Sequence, residues 1–288
     1  MSFWEARFLW QEPMLAAAIG AALLGYLGFF VVLRRIAFMS AALSQVSGLG
    51  VAVAFWLGSF AGVSPHEATP FWLSPGVYAF VFAALGAGSM AWPSRSRRVT
   101  PESVVALAYL ASSALVMVVL SSPRIAQEAH EVGDLLFGNA VVVSRQDLLE
   151  LSFAALITGV LHALFFKELL FASFDPDTAR VTGVPVRTMN LVLNLSLALC
   201  VAVATRALGA LPVFSFLVLP AGAALLFSER LHVVLVLAVG IAVFCGTVGY
   251  YLSWTLSLPT GSIMVSLAVA VWVAGGVKRL IDKARRTG

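Results

Sequence analysis

Charge is scarce in this chain. Asp, Glu, Lys and Arg make up 11% of its 288 residues, whereas hydrophobic residues make up 60%. That balance excludes a soluble globular domain, whose charged share is about 25%. Cysteine is scarcer still: Cys200 and Cys245 both fall inside apolar runs, where they read as small buried hydrophobes and leave the redox compartment open. Catalytic motifs are missing too. His130-Glu131-Val-Gly-Asp134 and His66-Glu67-Ala-Thr-Pro70 lack the second histidine of HExxH, and there is neither a G-x-S-x-G elbow nor a pair of intramembrane carboxylates. With no P-loop, the chain does not bind ATP by that route. The apolar runs hold almost no ionisable group besides His162, and proton-coupled carriers depend on such groups. An energy source outside the chain is the implication.

What is present is membrane-length apolar sequence. A hydrocarbon core about 30 Å thick takes roughly 20 apolar residues per helix. Charge-free runs of that order occupy Pro13–Leu33, Ile36–Pro65, Ala68–Ser94, Ser103–Pro123, Leu151–Phe166, Thr188–Thr205, Ala207–Ser228 and Leu231–Val277. The last is broken by Ser257-Leu-Pro-Thr-Gly-Ser262 and divides in two. Residues 1–288 therefore read as one all-α domain, a polytopic transmembrane helical bundle of about nine spans. Eight stays open, because Leu135–Val143 also fits a segment that dips into the membrane without crossing it. Asp147–Glu150 read as an interfacial first turn of the short fifth span. Trp4-Glu-Ala-Arg7 is a poor basic flank for a cleavable signal, so the first run is kept as a span.

Basic residues set the orientation. One set of loops holds Arg34, Arg35, Arg95, Arg97, Arg98, Lys167, Arg180, Arg187, Arg230, Lys278, Arg279, Lys283, Arg285 and Arg286, which is 14 of the 18. The other holds Arg7, Arg124, Arg145 and Arg206. The N-terminus is expected outside and the C-terminus in the cytoplasm, across the plasma (inner) membrane. The net charge of +4 needs no nucleic acid to explain it.

Span starts are marked by Ser74-Pro75, Thr100-Pro101 and the capping box Ser144-x-x-Asp147. Ser64-Pro-His-Glu67 has the same form and predicts a short outer helix. Small residues (Gly20, Gly25, Gly28; Ser40, Ser44, Ser47, Gly48; Gly240, Gly246, Gly249) offer flat faces for close packing. Pro212, Pro220 and Pro259 mark starts, breaks or ends. Pro220-Ala-Gly222 is expected to loosen or kink the seventh span, either lining a path or as an inert bend.

A polar island, Phe174–Val186, interrupts the oily sequence within the 167–187 loop. Asp175 suits an N-cap, Pro176 the first helical position, and Gly183 the left-handed residue that ends a helix. Pro185 prevents continuation. A short helix marked at both ends suggests a docking element.

Isolated polar residues each carry two readings. His162 is a satisfied structural histidine or a metal ligand. Asn190 and Asn194 are interhelical hydrogen-bonding groups or path lining. His130 and Asp134, with Glu128 and Glu131, form a solvated acidic patch or a cation or partner site.

From Arg34 onward the chain resembles the permease subunits of the zinc/manganese class of ABC importers. The matching stretches are Val32-Leu-Arg-Arg-Ile-Ala37, Asp134-Leu-Leu-Phe-Gly138 with Val143-Ser144 and Asp147, the Phe174–Val186 island, Leu217-Val-Leu-Pro-Ala-Gly-Ala-Ala224 and Leu258-Pro-Thr-Gly-Ser262. The resemblance implies a homodimeric permease with two cytoplasmic ATPase subunits, which alone use ATP, and an extracytoplasmic solute-binding protein. It makes the island a coupling helix, with Asp175, Pro176, Ala179 and Gly183 at family positions and Arg180 beside them. It implies no enzymatic activity and no cofactor in this chain.

One departure stands out. After the paired Arg the family usually carries Asp and, four residues later, His, where this chain has Ala41 and Gln45. A methyl group cannot ligate zinc or manganese, and a carboxamide does so weakly. The metal passes with few protein ligands or others such as His162, or the cargo is chelated or different, or a second permease supplies the ligands. Path candidates are Ser40, Ser44, Gln45, His162, Asn190, Asn194 and Pro220. The resulting expectation is an ABC permease of the metal type working by alternating access. Its rivals are an ABC permease for a non-metal or chelated solute, a secondary carrier or channel without an ATPase, and a non-transporting scaffold.

Overall fold

The computed structural model describes residues 7–61, 71–91, 100–123 and 143–287. Within them the chain forms helices α1 (Arg7–Leu33), α2 (Ala37–Ala61), α3 (Pro75–Ala91), α4 (Pro101–Leu120), α5 (Arg145–Leu164), α6 (Phe166–Phe174), α7 (Pro176–Val181), α8 (Val186–Leu208), α9 (Ala210–Phe227), α10 (Leu231–Leu256) and α11 (Thr260–Thr287), with a 3₁₀ turn at Phe71–Leu73. No strand occurs among the described residues. The expected Ser64–Glu67 helix, the His130/Asp134 patch and most of Leu135–Val143 lie outside them.

Eight of the helices are long and apolar enough to cross a membrane. The expected third span is α3, whose 17 residues extend about 25 Å, slightly short of the hydrocarbon thickness. The fifth span starts earlier than its charge-free run, because Ser144 and Asp147 form a full capping box and bring the first polar turn into α5.

Burial sorts the helices into two shells. α1, α2, α8 and α9 are mostly buried, whereas α4, α5, α10 and α11 have few buried residues, as lipid-facing helices do. Since lipid is as apolar as leucine, close backbone approach has to hold the helices together. A Cβ on Gly28 of α1 would stand 2.5 Å from the Leu217 carbonyl oxygen of α9, and one on Gly249 of α10 would stand 2.8 Å from Met264 Cγ of α11. Gly240, expected in the same role, faces open space instead. α9 runs without interruption through the buried Pro220, so its neighbours hold the helix despite the missing N–H.

Antiparallel α5 and α8 are tied at three levels. Arg206 of α8 pairs with Asp147 and Glu150 of α5, each at 2.7 Å. Thr158 Oγ1 lies 3.2 Å from Cys200 Sγ, and His162 Nε2 lies 3.1 Å from Ser196 Oγ. These contacts place Arg206 at one end of the bundle and the island at the other.

Candidate docking and transport site

The island folds as its residues suggest. Asp175 caps α7: one carboxylate oxygen accepts from the Thr178 N–H at 3.1 Å and the other from the Thr178 hydroxyl at 2.6 Å. These bonds hold its carboxyl below the ordinary value of 3.8, the hydroxyl bond contributing most. Pro176 occupies the first turn. At the far end Gly183 has φ +87°, and the Val184 N–H reaches back to the Ala179 carbonyl at 2.9 Å, closing a Schellman turn. Pro185, at φ −76° and ψ 73°, makes an inverse γ-turn into α8.

Only Ala179 of α7 is buried, and it anchors the helix. Phe174 and Val181 stand 67% and 89% exposed beside Asp177 and Arg180, whose 3.0 Å pair is itself in solvent. An exposed ion pair of this kind adds little stability. The outward face of the island therefore mixes two apolar side chains with charge, a composition suited to docking rather than to lipid.

Beneath the island lies a contact that the local sequence around Arg34 and Arg35 does not specify. α1 ends in a second Schellman turn, with the Ile36 N–H donating to the Val31 carbonyl and Arg35 at φ +58°. L-residues avoid this region by roughly 1–2 kcal/mol, so packing has to hold Arg35 there. The turn aims the Arg34 guanidinium at both flanks of α7. Nε donates to Ser173 Oγ of α6 at 2.9 Å, and Nη1 donates to Asn190 Oδ1 of α8 at 2.6 Å. The Ser173 hydroxyl in turn donates to the Leu169 carbonyl. Nη2 is buried without a partner among the described residues, and burial pushes the Arg34 pKa down to about 10. A paired Arg directly after an apolar run was the available signal; its partners are 139 and 156 residues away.

The path candidates are spread over four helices, α2, α5, α8 and α9. Ser40 and Ser44 are buried in α2, with their hydroxyls donating to the Ala37 and Ser40 carbonyls of their own helix. Ala41 is buried, and Gln45 is half-buried on the same stripe. Ser47 is buried, and its hydroxyl has no partner among the described residues. His162 is enclosed by Tyr26 and Phe30, with ring centroids 5.6 and 5.8 Å away, and its Nδ1 has no partner among the described residues. Asn190 is engaged by Arg34, Asn194 is half-buried, and Pro220 is buried. Among the described residues no three His, Cys, Asp or Glu side chains come together in a way that holds a metal.

Comparison with known proteins adds a consistent picture. A profile described as the ABC 3 transport family matches residues 7–278. The manganese transport system membrane protein MntC of Halalkalibacterium halodurans is 30% identical over 90% of this chain and 83% of that protein. The chelated iron transport system membrane protein YfeC of Yersinia pestis is 25% identical over 89% of this chain and 82% of its own length. Among solved structures, PsaBC from Streptococcus pneumoniae in complex with Fab superposes with a TM-score of 0.78 at 22% identity, covering 92% of this chain and 90% of that one.

Proposed function

The chain belongs to the ABC 3 transport family, and we propose that it works as the membrane-spanning permease subunit of an ABC importer for a divalent metal ion. It is a multi-pass plasma-membrane protein. In this reading α7 is the coupling helix. Ala179 anchors it, while Asp175, Pro176, Arg180 and Gly183 shape and present the surface that seats in a cytoplasmic ATPase. The observation that carries the reading is this helix, closed at both ends, with Phe174 and Val181 exposed beside charge.

The island end then faces the cytoplasm, where the basic loops favour it, and the N-terminus lies outside. Two copies of the chain pair as a homodimer, and a solute-binding protein docks on the Arg206 end. ATP is hydrolysed in the partner subunit; this chain biases a gate between outward- and inward-open states. Manganese and chelated iron in the names of the relatives support a metal cargo. Gln45, Asn190 and Asn194 are half-buried in the single protomer, and Asn190 is held there by Arg34. Ser40, Ser44 and His162 reach a path only if neighbouring helices part.

A second reading, a chelated or different solute, is favoured by Ala41 and Gln45, which lack good metal-ligating groups. The test is ATP-dependent uptake of manganese, zinc and iron into vesicles holding this chain with its ATPase and binding protein. Uptake of one ion supports the metal reading. ATP hydrolysis with no ion moved favours the other solute, and uptake that survives ATP depletion overturns the ABC assignment.

A further inference from the structure

We infer that Arg34 is a positioning residue for energy coupling, the strut that joins both flanks of α7 to the head of α2. This rests on the coupling-helix reading above. Ser173 belongs to the last turn of α6, just before the Asp175 cap, and Asn190 to the first turns of α8, just after Pro185. One guanidinium holds both at 2.9 and 2.6 Å. A push on α7 therefore reaches Arg34 from two directions at once.

Arg34 passes that push on because its own backbone is constrained. It lies in the tight turn between α1 and α2, whose Arg34, Arg35 and Ile36 N–H groups are all bonded back to α1 at 3.0–3.1 Å. α2 begins at Ala37, and its next turns carry Ser40, Ala41, Ser44 and Gln45. A rigid link from α7 to α2 is thus built from one side chain and one turn. The planar fork of arginine makes this possible, since two donors diverge from a fixed centre; a lysine ammonium is a single point on a flexible stem. The buried Nη2, unpartnered among the described residues, leaves the strut one donor for a contact made in another state.

The test uses the full transporter in proteoliposomes, comparing uptake of the transported ion with ATP hydrolysed. In Arg34→Lys the ATPase still binds α7 and hydrolyses ATP, but ions moved per ATP fall about tenfold. Ser173→Ala and Asn190→Ala each cause part of that fall, and together they match it. If Arg34→Lys does not assemble, the Ser173→Ala, Asn190→Ala double variant carries the same test. Uptake and hydrolysis falling in equal proportion would mark a merely structural role and overturn the strut. A wild-type chain that recruits no ATPase overturns the coupling-helix reading itself, and the strut with it.

Discussion

Asp147 and Arg206 meet at 2.7 Å across 59 residues of sequence, and the same Asp147 carboxylate accepts from the Ser144 N–H and hydroxyl at the start of α5. One side chain thus caps a helix and fixes its register against α8. Asp147→Ala is expected to lower stability by about 1–3 kcal/mol, combining a lost cap with a lost, partly buried pair. Ser144→Ala should cost about 1 kcal/mol. Thermal unfolding in detergent measures both, and equal losses would show that the pair with Arg206 contributes nothing.

Glycines within the membrane helices separate into two kinds. Gly28→Ala puts a methyl carbon 2.5 Å from the Leu217 carbonyl oxygen, so α1 and α9 have to move apart, at a cost of about 1–3 kcal/mol. Gly240→Ala meets nothing within 4 Å and should stabilise α10 by about 0.5–1 kcal/mol. A melting temperature unchanged by Gly28→Ala would contradict the close approach.

Gly183→Pro tests the end of α7. Proline requires φ near −65° and removes the N–H that donates to the Arg180 carbonyl at 3.2 Å, whereas Gly183 has φ +87°. The variant should insert normally but no longer co-purify with the ATPase. Undiminished co-purification would show that the island is a plain linker.

Asp175 gives a pH dependence with a definite sign. Bonds from Thr178 hold its carboxyl below the ordinary value of 3.8. A depressed pKa contributes stability that is present above that ordinary value and lost as pH falls through the folded one. The cap therefore persists through the neutral range and fails only in acid. Thr178→Val removes the hydroxyl bond and should move the Asp175 titration upward, as read by carboxyl carbon shifts of the intact protein. A titration left in place would mean that the hydroxyl bond does not form in solution.

Much of the candidate site was legible because it is local. The α7 cap needs Asp175 and Thr178, three residues apart, and its stop needs only Gly183 and Pro185. The α5 start likewise follows from Ser144 and Asp147. Arg34 was legible as a charge and as part of a family motif, but not as a contact. Nothing in Val32–Ala37 specifies Ser173 or Asn190, because those partners depend on how α1, α6 and α8 pack. The Ser40, Ser44 and Ser47 strip was legible as a face, yet what that face meets was not.

By itself the sequence determined that this is a bundle of membrane helices with a short polar helix between two of them. Hydrocarbon imposes a length on each span, and backbone caps act within a turn or two, so both leave short-range marks. Tertiary structure alone decided which helices are inner, which glycines are contact points, and that Arg34 grips both flanks of α7. Lipid gives little hydrophobic drive for one apolar face over another, so those choices rest on shape and hydrogen-bond geometry realised only when distant segments meet.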